Sequence, residues 1–289
     1  MTNAILTGLM LGGMYALVAM GLTLQYGVAR IMNLSYGEFL VAAAFASHWL
    51  FTAWAISPFV GLAFVIPISF GVSYAVYRIL LTPLVRRAPN RDALEVDSIL
   101  ATFGLMFVVQ GILLTMFGGA YYSYSFLAIP VTVFGETLAL NRMVALALAV
   151  IAGSALYLAL TRTRIGTAIR AVAVDPASAR LVAIDVTQTS ALAFALGGAM
   201  VAAAGVLVSM FLTFSATTGV VFTMKALIVV VMGGIGNLLG CLIAGLALGL
   251  SEALVATFVD PGLTLAVNYA LFLGVLLIKP AGLFGRAQR

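Results

Sequence analysis

Two carboxylates and one ammonium stand in this chain where charge is expensive. Glu38, Glu252 and Lys225 each fall within or beside long apolar runs, and an ionisable side chain at such a position is a functional candidate by default. Each carboxylate has two readings: contact with a solute, or a structural role in capping a broken helix or bonding a neighbouring one. Glu38 closes a polar interruption that also holds Asn33, Tyr36 and Gly37. Glu252 ends a Gly-x-x-Glu run near the outer end of its segment, and Lys225 reads as a side chain that snorkels to an interface. His48 has no second histidine or carboxylate at ligand spacing and reads as interfacial. Cys241, the only cysteine, cannot form an internal disulfide or a metal cluster and reads as a small packing residue. No His-Glu-x-x-His or Gly-x-Ser-x-Gly occurs, and the Gly-rich stretch at 233–236 is not followed by Gly-Lys-Ser or Gly-Lys-Thr. The sequence therefore offers no catalytic residue, no metal site and no nucleotide site of its own.

The elements around these residues follow from composition. Of 289 residues 64% are hydrophobic and only 8% charged, against roughly 25% charged in a soluble domain. A water-soluble fold could not cover itself so sparingly. Apolar runs recur at 4–26, 36–56, 58–80, 98–117, 142–161, 188–212, 222–235, 238–258 and 263–278, and about 20 apolar residues cross a bilayer as a helix. The expected fold is all-α: one polytopic membrane domain over residues 1–289 with eight to nine membrane segments, some broken or short. The first run lacks a basic leader and a small-residue cleavage site, so it reads as a retained span.

Orientation comes from Lys and Arg in short loops, which stay on the cytoplasmic side. Placing Arg30, the cluster Arg78, Arg86, Arg87 and Arg91, the cluster Arg162, Arg164, Arg170 and Arg180, and the C-terminal Lys279, Arg286 and Arg289 inside accounts for twelve of the fourteen basic residues. The N-terminus and residues 118–141 then lie outside. Scattered in this way, the charge of +5 is a topology signal and does not indicate nucleic-acid binding.

Three segments interrupt the apolar pattern. Residues 27–37 form either a cytoplasmic turn between two spans or an unwound break within one long helix; irregular backbone at membrane depth must be buried in protein or line a wet cavity. Gly233, Gly234, Gly236 and Asn237 break the chain between a short apolar run and one with recurring small residues, Gly240, Ala244, Gly245, Ala247 and Gly249, suited to close helix packing. Within the loop 162–187, Asp175 is placed to cap a short amphipathic helix opening at Pro176, with Ala177, Ser178, Ala179 and Arg180 following and Leu181, Val182 and Ile184 as an apolar anchor. The plainer reading of this loop is a basic topogenic segment.

These motifs occur in an order that resembles the branched-chain amino-acid ABC permeases, the H-type permease of Liv systems in particular. The similarity runs through GLMLGGMYALVAMGLTLQYGVARIMNLSYGEF, SILATFGL at 98–105, Arg164 to Ala171, FALGGAMVAAAGVL at 194–207, KALIVVVMGGIGNLLG at 225–240, Gly249 to Glu252 and KPAGLFG at 279–285. It implies a subunit of an ATP-driven importer in a bacterial inner membrane, carrying branched-chain or other hydrophobic amino acids by alternating access. It further implies a heterodimer with an M-type permease, two cytoplasmic ATP-binding subunits that hold the ATP and Mg, and a periplasmic solute-binding protein. Under it Asp175, Pro176, Ala177, Ser178, Ala179, Arg180 and Ile184 couple to the ATPase, while Asn33, Tyr36, Gly37, Glu38, Gly233, Gly234, Gly236, Asn237 and Glu252 belong to the translocation pathway. Ser35-Tyr36, where the family often has Ala-His, leaves room for urea, short amides or other small carboxylates as the solute. An ion-coupled secondary transporter is a further alternative, with 27–37 and 233–237 as its paired breaks.

Overall fold

The computed structural model describes residues 1–133 and 135–285, without the side chains of Arg91, Asp92 and Val133; the C-terminal Arg286 and Arg289 lie outside the described residues. An apolar chain that leaves water must close its backbone hydrogen bonds within itself, and helices carry nearly all of this one. They are α1 (Thr2–Ala29), α2 (Tyr36–Trp54), α3 (Pro58–Val76), α4 (Thr82–Arg87), α5 (Arg91–Phe117), α6 (Leu140–Arg162), α7 (Arg164–Val174), α8 (Pro176–Leu181), α9 (Val186–Ser209), α10 (Gly219–Gly233), α11 (Leu238–Phe258) and α12 (Thr264–Ile278). Seven helical segments are long and apolar enough to cross a membrane, at 2–29, 58–87, 93–117, 140–162, 186–209, 238–258 and 261–278, with α10 as a shorter apolar helix. At 19 residues, α2 reaches about 28 Å at 1.5 Å per residue, close to the hydrocarbon thickness. The chain is a polytopic all-α membrane protein.

Several boundaries differ from the sequence expectation, among them α5, which opens at Arg91 where the apolar run opens at 98. The span expected to end at residue 80 runs on to Arg87, because a π-turn at Tyr77–Leu81 joins α3 to α4. Pro83 has no N–H to give, and the widened turn brings the amide and the hydroxyl of Thr82 to the Tyr77 carbonyl, the latter at 3.0 Å. Arg78, Arg86 and Arg87 therefore ride on a helix end. The outer loop after α5 also holds a small antiparallel hairpin, β1 (Pro130–Val133) paired with β2 (Glu136–Ala139).

At the centre, α9 is lined by α1 and α2 running in opposite senses. Gln25 and Gly21 of α1 meet Phe194 and Gly197, whereas Tyr36 and Leu40 of α2 meet Gly197 and Gly205. Segment 27–37 is thus a turn between two helices, and it is buried: Ile31, Asn33 and Ser35 are almost wholly covered. Lipid is as apolar as leucine, so close backbone approach drives helix association here. Helices α1 and α11 pack antiparallel, and a Cβ added at Gly12 or Gly249 would collide with the facing helix backbone. Around this centre α3, α5, α6 and α12 turn Phe64, Ile68, Leu100, Phe107, Ile151 and Leu273 outward, a face suited to lipid or to an apolar partner.

Candidate functional site: a buried break between two uncapped helix ends

The site starts where α1 stops. Arg30 adopts a left-handed conformation (φ 56°) and its N–H donates to the Tyr26 carbonyl at 3.0 Å. The next five residues have no helix to satisfy them, and three other helices do so instead. Gln25 Nε2 donates to the Phe194 carbonyl (2.9 Å), and its Oε1 accepts from Asn33 Nδ2 (3.1 Å). Asn33 Oδ1 in turn accepts from the N–H and hydroxyl of Ser35 at 3.1 and 2.6 Å. Thr102 of α5 accepts from the Leu34 N–H (3.1 Å) and donates to the Met32 carbonyl (2.9 Å). Thr223 of α10 accepts from the Gly37 N–H (2.8 Å), and Tyr36 donates its hydroxyl to the Gly197 carbonyl (3.0 Å). Irregular backbone is tolerated here because side chains of neighbouring helices and Asn33 itself bond its polar groups.

Glu38 is the exception. Ser35-x-x-Glu38 has the spacing of a capping box, in which the glutamate bonds back to the cap residue's N–H. Asn33 has already taken that N–H, and both carboxylate oxygens of Glu38 are buried without a partner. They rest on Gly219, the first residue of α10, where an added Cβ would collide with the whole carboxylate. Gly37 likewise packs on the Gly219 carbonyl and Thr223. The first turns of α2 and α10 therefore meet inside the protein. Neither has a side-chain cap, nor do α1, α4, α6 and α12, whereas α3, α5, α7, α8, α9 and α11 are capped by Ser57, Asn90, Thr163, Asp175, Asp185 and Asn237.

The glycine break lies at the other end of α10. Gly234 and Gly236 take φ of 96° and 81°, conformations that suit glycine. The Gly236 N–H donates to Thr23 of α1 (3.2 Å), and Asn237 both caps α11 through Gly240 (3.0 Å) and donates to the Phe284 carbonyl (3.2 Å). The Leu283 N–H donates to the Met232 carbonyl at 2.7 Å. KPAGLFG, read only as a motif, is the clasp that holds this break.

Lys225 does not snorkel. Its Nζ lies 2.8 Å from Glu252 Oε1 and 2.8 Å from the Tyr15 hydroxyl, over the Tyr15 ring. Asn268 donates to the other carboxylate oxygen at 3.4 Å. Glu252 is thereby held within a junction of α1, α10, α11 and α12. Lysine needs a counter-charge when its stem is too short to reach water, and Glu252 supplies it. The half-buried ring of His48 packs among Tyr122, Tyr124 and Phe214, against the loop after α5. Cys241 is buried, as expected.

The loop 162–187 folds as two helices. Asp175 ends α7 and caps α8, accepting from the Ala177 N–H (2.9 Å) and the Ser178 hydroxyl (2.5 Å). The expected apolar anchor is divided. Ala179 is buried and Ile184 packs against the core, but Leu181 and Val182 point away from the chain, 87% and 70% exposed. Six residues make too few turns for one continuous apolar stripe.

The structure gathers Asn33, Tyr36, Gly37 and Glu38 at one end of α10 and Gly233, Gly234, Gly236 and Asn237 at the other, with Glu252 on its flank through Lys225. Asp175 to Ile184 are separate from both groups. Gln25, Thr102, Gly219 and Thr223, which complete the break, carry no signal in single-residue patterning, although Thr102 lies within SILATFGL. Among the described residues no cluster of three or more His, Cys, Asp or Glu side chains is arranged to hold a metal.

A many-spanning helical protein with a broken-helix centre is the architecture of a membrane permease. Comparison of sequences makes this specific: the chain belongs to the family described as branched-chain amino acid transport system / permease component, whose profile matches residues 4–278. It is 30% identical to the high-affinity branched-chain amino acid transport system permease protein LivH of Escherichia coli K12, over 97% of this chain and 94% of that protein. It is 26% identical to the corresponding permease protein BraD of Pseudomonas aeruginosa, over 98% and 95%. Identity is 25% to a probable LivH of Methanocaldococcus jannaschii, over 93% and 88%. No solved structure matches the chain.

Proposed function

We propose that this chain is the permease subunit of an ATP-driven ABC importer that moves branched-chain or other hydrophobic amino acids across a bacterial inner membrane. The observation that carries the reading is the chain-long similarity to permeases named for branched-chain amino acid transport. An M-type permease completes the pathway, a periplasmic solute-binding protein delivers the solute, and two ATP-binding subunits hold ATP and Mg. Their motion reaches this chain through α7 and α8, where Val174, Arg180, Leu181 and Val182 face away from the helix bundle. Nucleotide can shift the pathway only through contacts that differ between its two conformations, and an exposed apolar tip beside a helix locked by its own cap suits such a contact.

Reconstitution of all subunits in liposomes tests the reading. ATP hydrolysis and uptake are expected to rise with L-leucine, L-isoleucine or L-valine. Stimulation by urea or acetamide alone would replace the solute class, and ion-driven uptake by this chain without ATP would overturn the ABC assignment. Leu181→Asp is expected to weaken ATPase association while the permease still inserts. Unchanged association and uptake would reduce the 162–187 loop to a topology signal.

A further inference from the structure

Glu38 carries a carboxyl group that nothing among the described residues satisfies. It is fully buried, and neither oxygen has a hydrogen-bond partner. Ionised, it lacks a donor; protonated, its hydroxyl lacks an acceptor, and an unsatisfied buried polar group is costly in either form. The lysine on α10 cannot serve, because Lys225 is held by Glu252 and Tyr15. What surrounds Glu38 is the meeting of two helix N-termini without side-chain caps, its own first turn and that of α10. On the α2 side the Gly37 N–H is taken by Thr223 and those of Glu38 and Phe39 by the Ser35 carbonyl, so the donors at hand are the first-turn N–H groups of α10, which carry partial positive charge.

A buried acceptor beside unused donors is complementary to a ligand carrying both signs. An α-amino acid zwitterion has that form: an ammonium for the carboxylate and a carboxylate for a helix N-terminus. A divalent metal ion fits less well, since it draws on about six oxygen ligands, and no cluster of three or more His, Cys, Asp or Glu lies among the described residues. We infer that Glu38 binds the ammonium of the transported amino acid and that the uncapped N-terminus of α10 receives its carboxylate. The structure holds this site closed. Gly219 lies against the Glu38 carboxylate and Gly37 against the Gly219 carbonyl, so two residues without side chains let α10 cover the site. Displacement of the α10 end opens it. The inference rests on the amino-acid function proposed above.

Two measurements test it. In liposomes holding the complete transporter, Glu38→Gln is expected to lower binding-protein-dependent L-leucine uptake by about tenfold or more, as befits loss of a charge-assisted hydrogen bond. Glu38→Asp is expected to retain uptake with a raised KM. In the unmutated transporter, a hydrophobic carbodiimide that modifies buried carboxyls is applied and Glu38 modification is read by peptide mass spectrometry. L-Leucine with its binding protein and ATP is expected to slow modification, whereas 4-methylpentanoate, which lacks the ammonium, and sodium ions are not. Wild-type KM and rate in Glu38→Gln, protection by sodium, or modification indifferent to L-leucine would each overturn the inference. If Glu38→Gln fails to assemble, the labelling experiment decides alone. Wild-type uptake of urea or acetamide without L-leucine would remove the functional reading, and this inference with it.

Discussion

Lys225 and Glu252 show how a lone pair of opposite charges is made tolerable among apolar helices. The pair is nearly buried, with side chains 11% and 15% exposed; Lys225 also donates to the Tyr15 hydroxyl, and Glu252 accepts from Asn268. A buried pair adds little over well-packed apolar residues, but removing one partner strands the other charge at about 3–5 kcal/mol. Lys225→Met is therefore expected to lower the thermal unfolding temperature of the detergent-solubilised protein sharply. The double variant Lys225→Met, Glu252→Gln is expected to recover most of that loss. A double variant that loses the sum of the two single-variant losses would show that the two residues act independently. Glu38 differs in kind: it has no such partner, which is why the solute is assigned to it and not to Glu252.

At the level of elements, α10 is a rod held at both ends by irregular chain. Its C-terminal clasp depends on Gly234, where a side chain would be strained by φ 96° and would meet the backbone of Gly285. Gly234→Leu is expected to insert in the membrane at near-normal levels and to lose uptake; normal uptake would show that the break has no mechanical part. The α1 and α11 contact is a different device, static and close. Gly249→Val is expected to destabilise the protein by about 1–3 kcal/mol, the range for overpacking, because its side chain would strike the backbone of Gly12. A melting temperature equal to wild type would argue that α1 and α11 separate readily. Helix α8 brings a correction to the sequence view of its seat. Ala179 faces the chain's own core, so bulk there disturbs this subunit, and the surface open to a partner is Ala177, Ser178, Arg180, Leu181 and Val182.

For the whole molecule, the order of helices agrees with the orientation set by basic residues. If the N-terminus is placed outside, one crossing each by α1, α2, the α3 and α4 rod, α5, α6, α9, α10, α11 and α12 would leave the hairpin loop outside and α7 and α8 inside, as the basic residues call for. The alternation is independently consistent with the C-terminal segment reaching the Gly234 end of α10 and not its Gly219 end. In a Cys241→Ser background, a cysteine at Ser123 is expected to react with a membrane-impermeant maleimide only from outside, and one at Ala177 only from inside. The reverse pattern would invert the scheme.

The sequence by itself determined the class, the spans and the family, because apolar length and loop charge act locally and each segment carries its own signal. The cap at Asp175 and the break at Gly233 to Asn237 were legible for the same reason, each resting on residues within one turn. Tertiary structure alone decided the rest. Apolar periodicity is silent about which helix faces which when lipid and protein interior are equally apolar, so nothing in the chain's order announced that Lys225 would meet Glu252, or that Thr102 and Thr223 would complete a break some 70 and 190 residues away. Whether 27–37 was a turn or an unwound stretch turned on the opposed directions of α1 and α2 along α9, a fact of packing. That the buried Glu38 carboxylate lacks a hydrogen-bond partner is also a property of the fold, since the N–H that a capping-box spacing would offer it is taken by Asn33, folding back on Ser35.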